Sequence, residues 1–205
     1  MKATQLLKKQ HDEVKELFDK VERAQGKADK RRLFEQLAAS LVAHDAIERE
    51  IFYPACEEAL GLVDILGESL VEHGVIEFCL FRANQNLDTK DFDYYLTVLR
   101  ETVEHHVDEE EKEFFPKVEK ALGMQQLAVL GNDMEQQFEE VVAEDFRQPL
   151  VDNLHEVLMG SMRTTPQDER DEGRERPTPK RTAAKKKGTA KHPTNGKTSH
   201  VRTHH

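Results

Sequence analysis

The chain has 205 residues, 34% of them charged and 37% hydrophobic, with no Trp and 40 acidic against 30 basic side chains for a formal charge of −10. That composition suits a helical, water-facing protein and excludes collagen-like and disulfide-framed classes. No apolar run reaches the roughly 18 residues of a spanning helix, and the start MKATQLLKKQHDEVKELF lacks a signal-like apolar stretch, which predicts a cytoplasmic protein without membrane attachment.

Along the chain, Leu6, Leu7, His11, Val14 and Phe18 recur at helical spacing, and Gly26 closes that segment. A second run holds Leu33, Leu37, Leu41, His44, Glu48, Ile51, Phe52, Ala55 and Ala59 and ends at Gly61. A third holds Leu66, Leu70, His73, Ile76, Glu77 and Leu80, with a turn starting at Asp88. The fourth holds Tyr95, Leu99, Val103, His106, Glu110, Phe114 and Val118 and ends at Gly123. Amphipathic helices on short connections predict an all-α fold, an up-down-up-down four-helix bundle. A further helix is expected over 125–146, and a last turn or two over 150–159.

Composition changes near residue 160. Residues 161–205 carry 12 Lys and Arg against 5 Asp and Glu, a charge of +7, which leaves −17 on residues 1–160. Every Phe and Tyr lies at or before Phe146. The expected organisation is therefore a helical domain over 1–160 and a disordered basic tail over 161–205, too poor in apolar groups to offset its chain entropy. The run Lys185, Lys186 and Lys187 suits weak, non-specific contact with a polyanion; without an aromatic platform it does not read sequence.

The chain repeats itself. His11 to His44 and His73 to His106 are both 33 residues, and a shift of 62 superposes Glu48 on Glu110, Phe52 on Phe114 and Pro54 on Pro116. Glu57, Ala59, Leu60 and Gly61 likewise meet Glu119, Ala121, Leu122 and Gly123. Each hairpin thus supplies one histidine on its first helix and a His-x-x-x-Glu on its second. Residues i and i+4 share a helix face, so His44 points with Glu48 and His106 with Glu110, all on the apolar stripe. Four inward histidines and two inward carboxylates need a shared compensating charge, and a metal centre supplies it. Six nitrogen and oxygen ligands without thiolate suit iron, manganese or zinc, and carboxylates on separate helices can bridge a pair of cations.

The segments QHDEVKELF, HDAIEREIFYPA, EHGVIEF and HVDEEEKEFFPKVE resemble the repeated elements of the hemerythrin-like HHE cation-binding family, over about residues 3–145. The resemblance implies a bundle around two non-haem iron ions, with His11 and His44 on one iron, His73 and His106 on the other, and Glu48 and Glu110 bridging. The chain is similar to the bacterial branch of that family rather than to the oxygen carriers. Glu77 stands where the carriers place a fifth histidine, and Glu110 follows His106 by four residues where they have an Asp at five. Glu77 is accordingly a further candidate ligand.

Other residues have plainer readings. His105 lies about 100° around the helix from His106 and is expected to be exposed. Tyr53, near the site's helix end, reads as a packed ring with its hydroxyl near solvent, the alternative being a phenolate ligand or redox partner, and Asp108–Glu111 reads mostly as a solvated face around Glu110. Cys56 and Cys79 read as ordinary buried thiols. No Ser-His-Asp triad, phosphate loop or dinucleotide fingerprint occurs, and no catalytic residue is assigned. The leading functional reading is a cytoplasmic di-iron protein that binds, senses or reduces a small oxidant: O2, H2O2 or nitric oxide. The alternative is an iron-buffering or zinc-stabilised interaction module without turnover. A third reading makes the tail the active part.

Overall fold

The computed structural model describes residues 1–61 and 63–159, and the expected tail lies outside them. Helix α1 (Ala3–Arg23) packs on α2 (Lys27–Ile47), and α4 (Asp64–Gln85) packs on α5 (Asp91–Glu109). Each second helix runs on through a π-helical turn. Glu48–Phe52 leads into α3 (Tyr53–Leu60), and Glu110–Phe114 leads into α6 (Phe115–Val142). A final helix, α7 (Arg147–Met159), rests on α4. This is the four-helix bundle expected of the two hairpins, with α7 added.

The apolar stripes form two clusters with a polar layer between them. One contains Val14, Phe18, Leu41, Ile76, Leu80 and Val103, and the other contains Leu7, Ile47, Phe52, Phe114, Phe115 and Val118. On α1 the polar layer falls at Gln10 and His11, between Leu7 and Val14. The same succession on the other helices places His44, His73 and His106 at one level.

The π turns fall at equivalent places in the repeat, and proline explains them. Pro54 and Pro116 have no N–H to return to the preceding turn. The nearest donor, the N–H of Tyr53 or Phe115, reaches back five residues to the carbonyl of Glu48 or Glu110. Gly61 and Gly123 also correspond, with φ of 75° and 72°. Gly61 ends α3 as expected. At Gly123 the chain bends but helix resumes, so α6 continues to Val142, short of the expected end at 146.

Candidate metal centre

Four helices bring His11, His44, His73 and His106 into the polar layer, all buried together with Glu48 and Glu110. Among the described residues the buried ligand-capable atoms form two groups, each within 4.8 Å: His11, His44, Glu48 and Glu110, and Glu48, His73 and His106; a third, more exposed group joins Glu72, His105 and Glu109. Glu48 spans both buried groups. Its Oε1 is 3.3 Å from His44 Nε2 and its Oε2 is 3.4 Å from His73 Nε2. Glu110 Oε2 lies 3.5 Å from His11 Nε2 and 3.7 Å from His106 Nε2.

Every imidazole turns Nε2 inward because its Nδ1 is held by an oxygen from another helix. His11 Nδ1 donates to Glu111, His44 Nδ1 to Gln10 and His106 Nδ1 to Glu72, each at 2.9 Å. His73 Nδ1 makes a short contact to Asp45. An oxygen partner on Nδ1 fixes the ring with Nε2 toward the centre, the usual arrangement behind a metal-binding histidine, although here His73 Nε2 and His106 Nε2 also lie 3.1 Å apart within hydrogen-bond distance. Asp45 is in turn held by Arg49 at 3.0 Å and by Asn153 of α7 at 3.1 Å.

These outer partners lie beyond what single-helix spacing reveals, because they cross between helices. Glu111, expected on a solvated face, instead folds over His11. One signal was available: Gln10 and Glu72 each precede the first histidine of their repeat by one residue, and each holds the second.

Tyr53 departs furthest from its expected place. It is fully buried, and its hydroxyl lies 3.1 Å from Glu110 Oε1, 3.2 Å from His73 Nε2 and 3.3 Å from Glu48 Oε2. On a regular helix Tyr53 would sit about 140° around from Glu48. The π turn inserts the extra backbone that lets both face inward. The equivalent residue in the second hairpin is Phe115, whose ring stacks on His11 at 6.0 Å.

Glu77 is buried, but it joins none of these groups of ligand atoms; its carboxylate lies 3.5 Å from Arg49 Nη2. His105 is exposed as expected, and ion pairs with Glu72 at 3.5 Å and Glu109 at 3.4 Å account for its position. Cys56 and Cys79 are buried free thiols, also as expected.

The buried ionisable groups shift one another: against its burial, Glu110 and Glu72 raise the His106 pKa to about 9. Burial opposes ionisation of Glu48, but His44 and His73 outweigh it and hold that carboxylate far below its usual range. Burial and the charge on Glu48 push Glu110 well above its own. Burial, with both carboxylates, also raises Tyr53 and keeps its O–H intact. His11 Nε2, Glu48 Oε1 and Glu110 Oε2 are buried without a hydrogen-bond partner. Lone pairs converging from imidazole and carboxylate, unsatisfied and dry, fit a cation.

Comparison with known proteins agrees. Residues 2–118 match the hemerythrin HHE cation binding domain. The chain belongs to that family. HHE domains bind metal cations, and this one buries two groups of histidine and glutamate ligand atoms. In fold, the HHE chain is similar to the crystal structure of a hemerythrin HHE cation binding domain-containing protein from Mycobacterium kansasii, with a TM-score of 0.64 and 23% identity. The likeness covers 75% of this chain and 99% of that one. Among curated proteins no sequence matches significantly. No helix among the described residues of this HHE protein is long and apolar enough to cross a membrane.

Proposed function

We propose that this chain holds two non-haem irons and uses them to bind and reduce a small oxidant, O2, peroxide or nitric oxide, in the cytoplasm. His11 and His44 would hold one iron, His73 and His106 the other, with Glu48 and Glu110 between them. The observation that carries the reading is a cavity of about 30 Å³ that opens on all four imidazoles and is otherwise lined by groups such as Val14, Ile76, Leu80 and Val103. That space admits a molecule of two or three atoms. Two irons would supply one electron each to an oxidant held there.

The remaining work falls to the chain. Glu72, Asp45, Gln10 and Glu111 fix the imidazoles, so the site is preorganised. The apolar wall keeps bulk water from the ligand. The Tyr53 hydroxyl, among the inward atoms, carries a proton within reach of the reacting centre. Glu77 lines the same cavity; burial and Asp45 push its pKa up to about 8, with Arg49 opposing. As a direct ligand Glu77 would have to turn from Arg49, so it enters this reading as a cavity wall. The domain proposed to do this is residues 1–160, with 161–205 as an appended basic tail.

Freshly purified protein should contain two irons per chain and absorb in the near ultraviolet. Glu48→Ala and Glu110→Ala should each leave partial occupancy. Protein reduced without air should return quickly to a stable diferric form when O2 is admitted, and it should consume added peroxide. A single colourless zinc would favour the interaction-module alternative. Oxygen taken up and released unchanged under vacuum would restore a carrier.

A further inference from the structure

The repeat superposes the two halves of the metal layer, so the molecule contains its own comparison. Residues 10 and 72 occupy the same place, 62 apart, and do the same thing: each holds Nδ1 of the second histidine in its hairpin at 2.9 Å. Their chemistry differs. Gln10 is a neutral amide, whereas Glu72 is a carboxylate. The histidines on the first helices differ less in kind, because Glu111 holds His11 and Asp45 holds His73.

Nearby cations do not cancel this difference. Lys8 lies 3.7 Å from Glu111, and Arg49 lies 3.0 Å from Asp45, so each hairpin has one such carboxylate offset by one cation. What remains is Glu72, whose carboxylate also ion-pairs with the exposed His105 at 3.5 Å, against no charge at Gln10. Asp45 is also the more enclosed of the two acids, at 10% side-chain exposure against 30% for Glu111, and Asn153 secures its other oxygen. A carboxylate behind an imidazole raises the basicity of the metal-facing nitrogen and adds attraction for the cation, more strongly where water is excluded.

We infer that the two halves load in order: a divalent iron is held first, and more tightly, by His73 and His106 than by His11 and His44, with Glu72 as the positioning residue that sets the order. This rests on the two-iron reading above. An outer partner of this kind is worth about tenfold to a hundredfold in metal affinity. The half-filled protein therefore carries its ion beside Asp45 and Glu72. The half held by Gln10 fills only at higher free iron.

The experiment equilibrates the full-length, iron-loaded protein without air against buffered Fe(II) of decreasing free concentration and measures iron per chain. Wild type should lose iron in two steps separated by about tenfold or more. Glu72→Gln should weaken the tighter step by about tenfold and draw the two together, while Gln10→Glu should strengthen the weaker one. His73→Ala should abolish the tighter step, and His11→Ala the weaker. The two glutamine–glutamate exchanges keep size and shape, so they decide the matter even where a histidine variant fails to fold. Two irons lost in one step, or a tight step removed by His11→Ala, would overturn the ordering and leave the two-iron reading intact. One iron in total, removed by His73→Ala and weakened by Glu72→Gln, would overturn the two-iron reading and keep the preference.

Discussion

Tyr53 is where one side chain decides most. Its hydroxyl touches both carboxylates and His73, and its repeat counterpart is already a phenylalanine, so the site's surroundings accept a ring without the oxygen. Tyr53→Phe should keep the fold and both irons. Removing the proton donor should slow peroxide reduction by roughly a hundredfold, and stopped-flow measurement of peroxide consumption checks this. An unchanged rate would confine Tyr53 to packing. The six inward groups were legible from the sequence, because a 62-residue repeat marks them twice. The Tyr53 hydroxyl was legible only as the lesser of two readings, because periodicity assumes a uniform helix. The equal spacing of Glu48 to Pro54 and Glu110 to Pro116 was the available sign that the helix is not uniform.

Among the elements, the hairpins followed from hydrophobic spacing, whereas α7 was only half visible. Leu150 and Leu154 signal its buried face, but its polar link to the site runs through Asn153, which reaches Asp45 and Glu77. Asn153→Leu should leave α7 docked and reduce affinity for the iron held by His73, measurable as iron retained against a chelator. The helix ends offer a cleaner test. Gly61 and Gly123 have left-handed backbone, which costs a residue with a side chain roughly 1–2 kcal/mol. Either Gly→Ala variant should lower the melting temperature by about 2–8 °C at this size. The two should behave alike, since nothing crowds either position within 4 Å. A calorimetric melt that showed no change would mean the backbone relaxes there.

For the whole molecule, stability and metal are one question. Without a cation, the layer between the apolar clusters holds carboxylate and imidazole atoms that find no partner. Free iron at a thousand times the dissociation constant stabilises the folded state by roughly 4 kcal/mol. Chelation should therefore lower the melting temperature, and deletion of 161–205 should not. Acid should act like the chelator, because protons compete for imidazole nitrogen: metal should leave on acidification and return on neutralisation, followed by absorbance. The bundle was readable from sequence at this scale, since two apolar faces with a polar belt have few ways to close.

The repeat has one more consequence, and it concerns descent. Each hairpin, α1 with α2 or α4 with α5, carries two histidines and one glutamate in the belt. That is half of a set that closes on itself. Two copies of one hairpin, placed about a twofold axis, would present the same six groups from identical surfaces. The chain reads as such a self-pairing ancestor duplicated and fused, after which the copies were free to diverge. Gln10 against Glu72, Lys15 against Glu77, Asp45 against Val107 and Tyr53 against Phe115 are among the places where they differ. A symmetrical ancestor would have met its ligand identically from both sides; the fused chain sets a tyrosine hydroxyl in one half of the belt and a bare aromatic ring in the other.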